Sequence, residues 1–361
     1  MVGSKTRKTE VNAMITQEKI NGILEGYGKD LKIATLCSHT ALQIFYGARQ
    51  EKIKTIGICT KERMKLYESF PLAKPDEFIV VDDPKEIPAD ELVARNAVLV
   101  PHGSLVEYFG KKLENLAVPI LGNRNSLLWE RDREKMFEWM KNAGLQIPKT
   151  FKPEEIDRPC MVKFSGARGG RGYIIVNSQE ELDSRVPDQT GITIQEYLIG
   201  IRVYPHYFYS PLSRHGYRAG EGKVELMSMD RRVESNIDEA YRLWAVGLTS
   251  KPAFTIVGNE PFVIRESLLT GVMEMGKGVV ESADRLFGGI PGPFCIEMIC
   301  DENLQLSAFE ISARIVAGTN LYPGSSPYSV YTHGPGMSTG RRIATELKQA
   351  AKEKKLAKIV F

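Results

Sequence analysis

Between two short apolar runs the chain carries Lys163-Phe-Ser-Gly-Ala-Arg-Gly-Gly-Arg-Gly172, which brings a lysine, two arginines and four glycines into one stretch. Glycine lets backbone N–H groups approach a polyphosphate with no Cβ in the way, and Lys163, Arg168 and Arg171 add positive charge. The runs Met161 to Phe164 and Tyr173 to Val176 read as strands, so the glycines should form a hairpin loop. The usual loop-then-helix nucleotide fingerprints need a helix behind the loop, and their spacing differs from Gly166-x-x-Gly169-Gly170-x-Gly172. A solvated turn can have the same composition, so a phosphate site needs partners elsewhere.

Carboxylates are the first such partners. Glu297 lies in Gly292-Pro-Phe-Cys-Ile-Glu297 and Glu310 in Leu306-Ser-Ala-Phe-Glu310-Ile-Ser-Ala-Arg314, two apparent strands separated by the turn Asp301-Glu302-Asn303. A hairpin would set the two acids side by side, where they repel unless something bridges them. A hard divalent cation does so, and Mg²⁺ typically takes one or two carboxylates plus phosphate oxygens. The alternative is one buried and one exposed acid with Arg314 as counter-ion.

The elements that must hold these groups fall into three parts. Lys32 to Cys37, Thr55 to Thr60, Phe78 to Asp82 and Ala97 to Pro101 are β-rich runs. They are separated by helix-length segments such as Ala41 to Lys52 and Ala89 to Arg95, which predicts a parallel sheet with helices on both faces. Ligands of such sheets bind beyond the strand C-termini. Ser38-His39-Thr40 and His102-Gly103-Ser104 follow the first and fourth strands, as ligand contacts or as helix caps. Asn125 to Asn142 reads as one charged helix containing Lys135. A small α+β module follows, with a helix near Gln179 to Ser184 and a strand Ile192 to Tyr197. Arg202 to Glu310 reads as strands around a helix Ser267 to Leu286, and an amphipathic helix begins near Ser338.

Composition narrows the function classes. With 361 residues, 42% hydrophobic and 26% charged, the chain can bury a full core in two or three domains. The net charge of +3 is spread along the sequence with no basic block, so no nucleic-acid partner is expected. No apolar run approaches the roughly 20 residues that span a bilayer, and Met1 to Ala13 is polar, so a cytoplasmic protein with no membrane partner is expected. The five scattered cysteines, Cys37, Cys59, Cys160, Cys295 and Cys300, read as buried reduced thiols.

Lys135, Lys163, the glycine loop, Gln195-Glu-Tyr-Leu-Ile-Gly200 and the acids Glu297 and Glu310 occur in the order of an ATP-grasp ligase. From about Met14 onward the chain resembles the archaeal formate-dependent synthetases that act on aminoimidazole carboxamide ribonucleotide. Carrying the resemblance are Ile33-Ala-Thr-Leu-Cys-Ser-His-Thr40, Val100-Pro-His-Gly-Ser104, Gly122-Asn-Arg124 and Lys163 to Gly172. His206-Tyr-Phe-Tyr-Ser-Pro211, Met229-Asp-Arg-Arg-Val-Glu-Ser-Asn-Ile-Asp238, Val263-Ile-Arg-Glu-Ser267 and Phe309-Glu-Ile-Ser-Ala-Arg314 complete it.

The resemblance implies an α/β chain, with an N-terminal parallel α/β (pre-ATP-grasp) domain at 14–122 followed by a two-part α+β ATP-grasp domain. Its small lid would be 123–200 and its large part 201–361, with 1–13 an N-terminal extension. It implies ATP- and formate-dependent formylation of the ribonucleotide's 5-amino group through formyl phosphate, with Mg²⁺ or Mn²⁺ held by Glu297 and Glu310. By the same resemblance, Lys135, Lys163 and the loop residues Gly166, Arg168, Gly169, Gly170 and Gly172 contact ATP phosphates. Gln195, Glu196, Tyr197 and Leu198 line the adenine, and Glu234 is the ribose contact. His39, Ser104 and Asn259 hold the ribonucleotide. Arg314, close behind the metal acid, could stabilise acyl-phosphate charge on chemical grounds. A homo-oligomer is expected.

The sequence also departs from the pattern. Arg202 stands where many ATP-grasp enzymes carry a ribose-binding acid, Val316 and Ala317 where an aspartate and a glycine are expected, and Ser165 where proline is. Rival readings are a ligase for another carboxylate and amine, or a non-catalytic nucleotide-binding regulator. Retention of Lys135, Lys163, Glu297 and Glu310 speaks against the regulator.

Overall fold

The computed structural model describes residues 14–27, 30–164, 173–250, 253 and 255–361. Strands β1 (Lys32–Leu36), β2 (Lys54–Cys59), β3 (Glu77–Val80) and β4 (Ala97–Leu99) form a parallel sheet in the order β3-β2-β1-β4. Helices α1 (Gln17–Glu25), α2 (Ala41–Gln50), α3 (Lys61–Glu68), α4 (Ala89–Ala94) and α5 (Gly103–Phe109) accompany it. β1 and β2 are buried along nearly their whole length, as strands covered on both faces must be.

The expected helix from Asn125 to Asn142 is in fact two, α6 (Arg124–Arg131) and α7 (Arg133–Asn142). Asp132 adopts an extended conformation between them, and its carboxylate accepts from the backbone N–H groups of Glu134 at 3.1 Å and Lys135 at 3.2 Å. An N-cap of this kind wins over helix continuation at an aspartate.

A four-stranded antiparallel sheet follows, made of β5 (Thr150–Phe151), β6 (Cys160–Lys163), β7 (Tyr173–Val176) and β8 (Thr193–Glu196) in the order β5-β8-β6-β7. Helix α8 (Gln179–Arg185), capped by Ser178, closes its small core of Cys160, Val162, Val176, Leu182, Val186 and Ile194. The predicted hairpin is present, with Lys163 opposite Tyr173. Its loop lies outside the described residues, and with it Ser165, Gly166, Arg168, Gly169, Gly170, Arg171 and Gly172.

The largest sheet contains β9 (Ile201–Ser210), β10 (Arg218–Ala219), β11 (Gly222–Glu234), β12 (Ile256–Pro261), β13 (Gly292–Cys300) and β14 (Leu306–Ser312). Its order is β10-β11-β9-β13-β14, with β12 also paired to β11. Helices α9 (Ile237–Ala245), α10 (Leu269–Phe287), α11 (Ser329–His333) and α12 (Thr339–Lys352) complete this part. The predicted central helix is α10, ended by Gly288 at φ +87°. Helix α9 was hidden in a stretch read as strands, although Ile237, Tyr241 and Trp244 recur on it at helical spacing; all three are exposed.

Side chains alternate along strands, and directly opposed residues share a face. The registers Ser228↔His206, Asp230↔Tyr204, His206↔Cys295, Cys295↔Ser312, Glu297↔Glu310 and Arg232↔Asn259 therefore gather these polar groups on one face. The other face carries Val203, Tyr207, Met229, Phe294 and Ile296, all buried. It packs on α10, where the Tyr207 hydroxyl donates to the Val272 carbonyl at 2.8 Å.

Helix α12 fastens this sheet to the N-terminal one. A Cβ on Gly340 would lie 2.2 Å from the Gln43 carbonyl oxygen and one on Gly47 2.1 Å from the Arg341 nitrogen, so only glycine permits this contact with α2. Ile33, Ile44, Val98, Phe208, Ile343 and Leu347 share one core cluster across the junction. The ends of β1 and β4 are thus held over the polar face.

Candidate active site

Glu297 and Glu310 oppose one another on β13 and β14, as the hairpin predicted. Glu297 is buried and is gripped by Arg232, whose Nη1 and Nη2 donate to its two oxygens at 2.9 and 2.8 Å. Arg232, and not Arg314, is therefore the counter-ion of this pair of acids. Arg232 also lies over the Tyr204 ring, 3.9 Å from its centroid. Glu310 is exposed to solvent. The protein atoms crowded around its carboxyl, followed by the charge of Glu297, push it up to about 7. Lys163, at the end of β6, is pushed down to about 8 by burial and then by Arg133, with Glu310 and Glu297 acting in the opposite direction. The lysine before the loop and the two acids thus share one electrostatic environment.

Lys135 sits on an exposed turn of α7, its ammonium 5.9 Å from the centre of the Trp129 ring. Gln195 is buried in β8, and its Nε2 has no hydrogen-bond partner among the described residues. An orphaned buried donor of this sort is satisfied when a ligand acceptor arrives. Glu196 accepts from the Lys149 backbone at 3.3 Å and from Arg158 at 3.4 Å, and the Tyr197 backbone donates to the Pro159 carbonyl at 3.0 Å. Leu198 is half-buried in the segment leading to β9. Glu234 is ion-paired with Arg202, the residue that stands where an acid was expected.

At the other end of the polar face, the turn after β1 holds His39 at φ +52°. Its ring stacks on that of His102, with centroids 5.5 Å apart. Burial, then the charges of Arg314, His102 and Arg232, push the His39 imidazole down to about 2, so the ring is neutral. Gly103 makes this approach possible, because a Cβ there would lie 2.8 Å from His39 Nε2 and 3.5 Å from Arg314 Cζ. Ser38 and Ser104 hydrogen-bond each other through their hydroxyls at 2.9 Å, and the helices that follow have no side-chain cap. The capping reading of these serines is therefore corrected.

Arg314 pairs with buried Glu130 at 3.1 Å, while Glu130 also accepts from the Ala313 backbone at 2.8 Å. The Arg314 Nε is buried without a partner among the described residues. Val316, where an acid was expected, is buried with Tyr204 and Cys295, so no carboxylate replaces it at that position. All five cysteines are buried free thiols, as expected.

Asn259 donates through Nδ2 to Asp230 at 2.6 Å. Arg232, Asp230, His206 and Glu130 were not among the site residues expected from the sequence. Strand alternation through Met229-Asp-Arg-Arg-Val-Glu234 would have put Asp230 and Arg232 on one face with Glu234, but which face met the acids depended on the pairing of β11 with β9 and of β9 with β13, between strands not adjacent in sequence. Glu130 had no local signal.

The geometry joins a lysine at the mouth of a glycine loop, two opposed acids with an arginine, and a neutral histidine brought from another sheet. A family model described as a domain of unknown function (DUF1297) matches residues 179–361, and one described as a protein of unknown function (DUF1246) matches residues 33–151. A 5-formaminoimidazole-4-carboxamide-1-(beta)-D-ribofuranosyl 5'-monophosphate synthetase from Methanococcoides burtonii is 49% identical over 353 residues, covering 95% of this chain and 99% of the relative. The crystal structure of an IMP biosynthesis protein PurP from Thermococcus kodakaraensis superposes with a TM-score of 0.73 at 28% identity, covering 91% of this chain and all of that one. An N5-carboxyaminoimidazole synthetase from Staphylococcus aureus complexed with ADP shares the fold, with a TM-score of 0.55 at 15% identity over 81% of this chain and 74% of that one. Among the described residues no helix is long and apolar enough to cross a membrane. The chain belongs to the 5-formaminoimidazole-4-carboxamide ribonucleotide synthetase family and has the ATP-grasp fold.

Proposed function

We propose that the chain is an ATP-dependent carbon–nitrogen ligase that formylates 5-aminoimidazole-4-carboxamide ribonucleotide in purine synthesis, using formate and releasing ADP and phosphate. The observation that carries this reading is the polar face of the largest sheet, which holds Glu297, Glu310 and Asn259, with Lys163 brought within reach of the acids from the four-stranded sheet and His39 from the N-terminal one. One end has the charge for a nucleoside triphosphate, and the other has neutral hydrogen-bonding groups for a second nucleotide.

Formate is a poor acyl donor. Attack of its oxygen on the γ-phosphorus turns that oxygen into a leaving group and releases ADP. The 5-amino nitrogen then attacks the formyl carbon, the carbon–oxygen bond breaks with its electron pair going to phosphate, and the nitrogen gives up a proton. The protein's share of such chemistry is mainly positioning and charge balance. Lys163 and Lys135 hold ATP phosphates, together with the loop Gly166 to Gly172. Gln195 to Leu198 line the adenine, where the orphaned Gln195 Nε2 suits a ring-nitrogen acceptor. Arg202 anchors Glu234 for the ribose. His39, Ser104 and Asn259 hold the ribonucleotide, and a neutral His39 does so by hydrogen bonding. Arg314, whose Nε has no partner among the described residues, balances acyl-phosphate charge.

The opposed acids fit Mg²⁺ or Mn²⁺. The surrounding protein atoms and the charge of Glu297 raise the Glu310 acid, and a divalent cation would relieve that repulsion. Among the described residues no group of three His, Cys, Asp or Glu side chains could hold a metal, so the remaining ligands would be phosphate oxygens and water. Bound there, the cation would neutralise phosphate charge.

Formate labelled with ¹⁸O tests the route. Transfer of one labelled oxygen into inorganic phosphate, with formamido nucleotide formed, is the expected result. Product formation with unlabelled phosphate would exclude formyl phosphate.

A further inference from the structure

Asn259 stands on β12, opposite Arg232, the arginine that grips Glu297 and acts on His39. Its side-chain amide is constrained on one side only. The Nδ2 donates to Asp230 Oδ2 at 2.6 Å, and among the described residues Oδ1 has no partner. Asp230 is wholly buried, and its other oxygen lies 2.7 Å from His206 Nε2. The second nitrogen of that ring, Nδ1, is 2.7 Å from the Ser228 hydroxyl. A Cβ on Gly318 would lie 2.1 Å from Asp230 Oδ1, so the turn containing Gly318 seals the carboxylate from above. A carboxylate only accepts hydrogen bonds, and an amide nitrogen only donates. Turning the Asn259 amide over would set its oxygen against a buried carboxylate oxygen and leave both without a proton between them.

We propose that Asp230, held by His206 and Ser228, is a positioning residue that locks the Asn259 amide with its oxygen toward the cleft, so that this position reads an N–H donor on the ribonucleotide. Resting on the function proposed above, this assigns Asn259 to a nitrogen of the substrate and away from its phosphate, since an amide oxygen repels an anion. Two groups of the ribonucleotide offer such a donor, the 4-carboxamide and the 5-amino group. A site built around a fixed acceptor rejects an analogue lacking the donor far more strongly than an adaptable site does.

Calorimetry with three ligands tests it: the ribonucleotide, its 4-carboxylate analogue and its 5-deamino analogue, each titrated into the unmodified protein, Asp230→Asn and Asn259→Ala. The unmodified protein should bind one analogue at least about tenfold more weakly than the ribonucleotide. Loss with the carboxylate identifies the carboxamide N–H, and loss with the deamino compound identifies the amine. In Asp230→Asn the neighbouring amide can also donate, so Asn259 can turn over and the penalty should shrink to about threefold or less. Asn259→Ala, on a partly exposed strand, should shrink it similarly and carries the test if Asp230→Asn does not fold. Equal binding of all three ligands by the unmodified protein, or a penalty that survives in either folded variant, would overturn the proposal. Failure of the unmodified protein to bind the ribonucleotide at all would overturn the function proposed above together with it.

Discussion

Glu297 and Glu310 face each other across two strands but are not equivalent: Glu297 is gripped by Arg232, whereas Glu310 has no ion pair among the described residues and is exposed. Glu310 is thus the acid left to take a new cation. Replacing it with glutamine removes the charge and keeps the shape. Glu310→Gln should lower turnover by orders of magnitude, roughly 10²-fold or more, with its melting temperature little changed. Near-normal ADP release from the folded variant would remove Glu310 from the metal site.

His102 makes the fold sensitive to acid. Burial, and after it the charge of Arg314, pushes its imidazole down to about 4, against the opposing hydrogen bond to the Leu36 carbonyl at 3.0 Å. The unfolded chain protonates this ring near pH 6.5 and the native one does not, so the stability it contributes is complete above 6.5 and falls as the pH drops toward 4. The slope reaches about 1.4 kcal/mol per pH unit. His102→Gln should therefore lose stability less steeply between pH 6.5 and 4.5 in urea titrations. Parallel slopes for the two proteins would show that the native ring is protonated.

His39 belongs to the ribonucleotide end of the cleft. His39→Ala should raise the Michaelis constant for the ribonucleotide at least roughly tenfold, about 1.4 kcal/mol, and leave that for ATP within about threefold. A lowered melting temperature with an unaltered ribonucleotide constant would make His39 structural.

Gln195 gives a separate handle on the ATP end. Its buried Nε2 lacks a partner among the described residues, so Gln195→Leu should leave the free protein as stable or raise it by about 1 kcal/mol, while reducing the stabilisation that ATP confers. An undiminished shift of the melting temperature with ATP would place the adenine elsewhere.

How far the sequence disclosed this molecule depended on whether the signal was local. The β1 to β4 rhythm, the hairpin around Lys163 and the opposition of Glu297 and Glu310 were readable, because strand alternation and turn residues act within a few positions. The break at Asp132 was also written locally, in a capping residue that helical charge pattern outweighed. Helix α9 was written locally too, in Ile237, Tyr241 and Trp244 at helical spacing, but the strand pattern on either side of it outweighed that signal. The link from His39 to Arg314 and Arg232 joins β1 to segments far along the chain, and no periodicity predicts such a meeting. Nor could Glu130 be foreseen as the partner of Arg314.

ADP release measured with formate and the ribonucleotide together, and with each omitted in turn, decides whether the chain couples ATP cleavage to formylation. Rapid ADP release is expected only when both are present, in step with formamido nucleotide. ADP release that ignores either compound, or none with the complete mixture, would contradict that coupling.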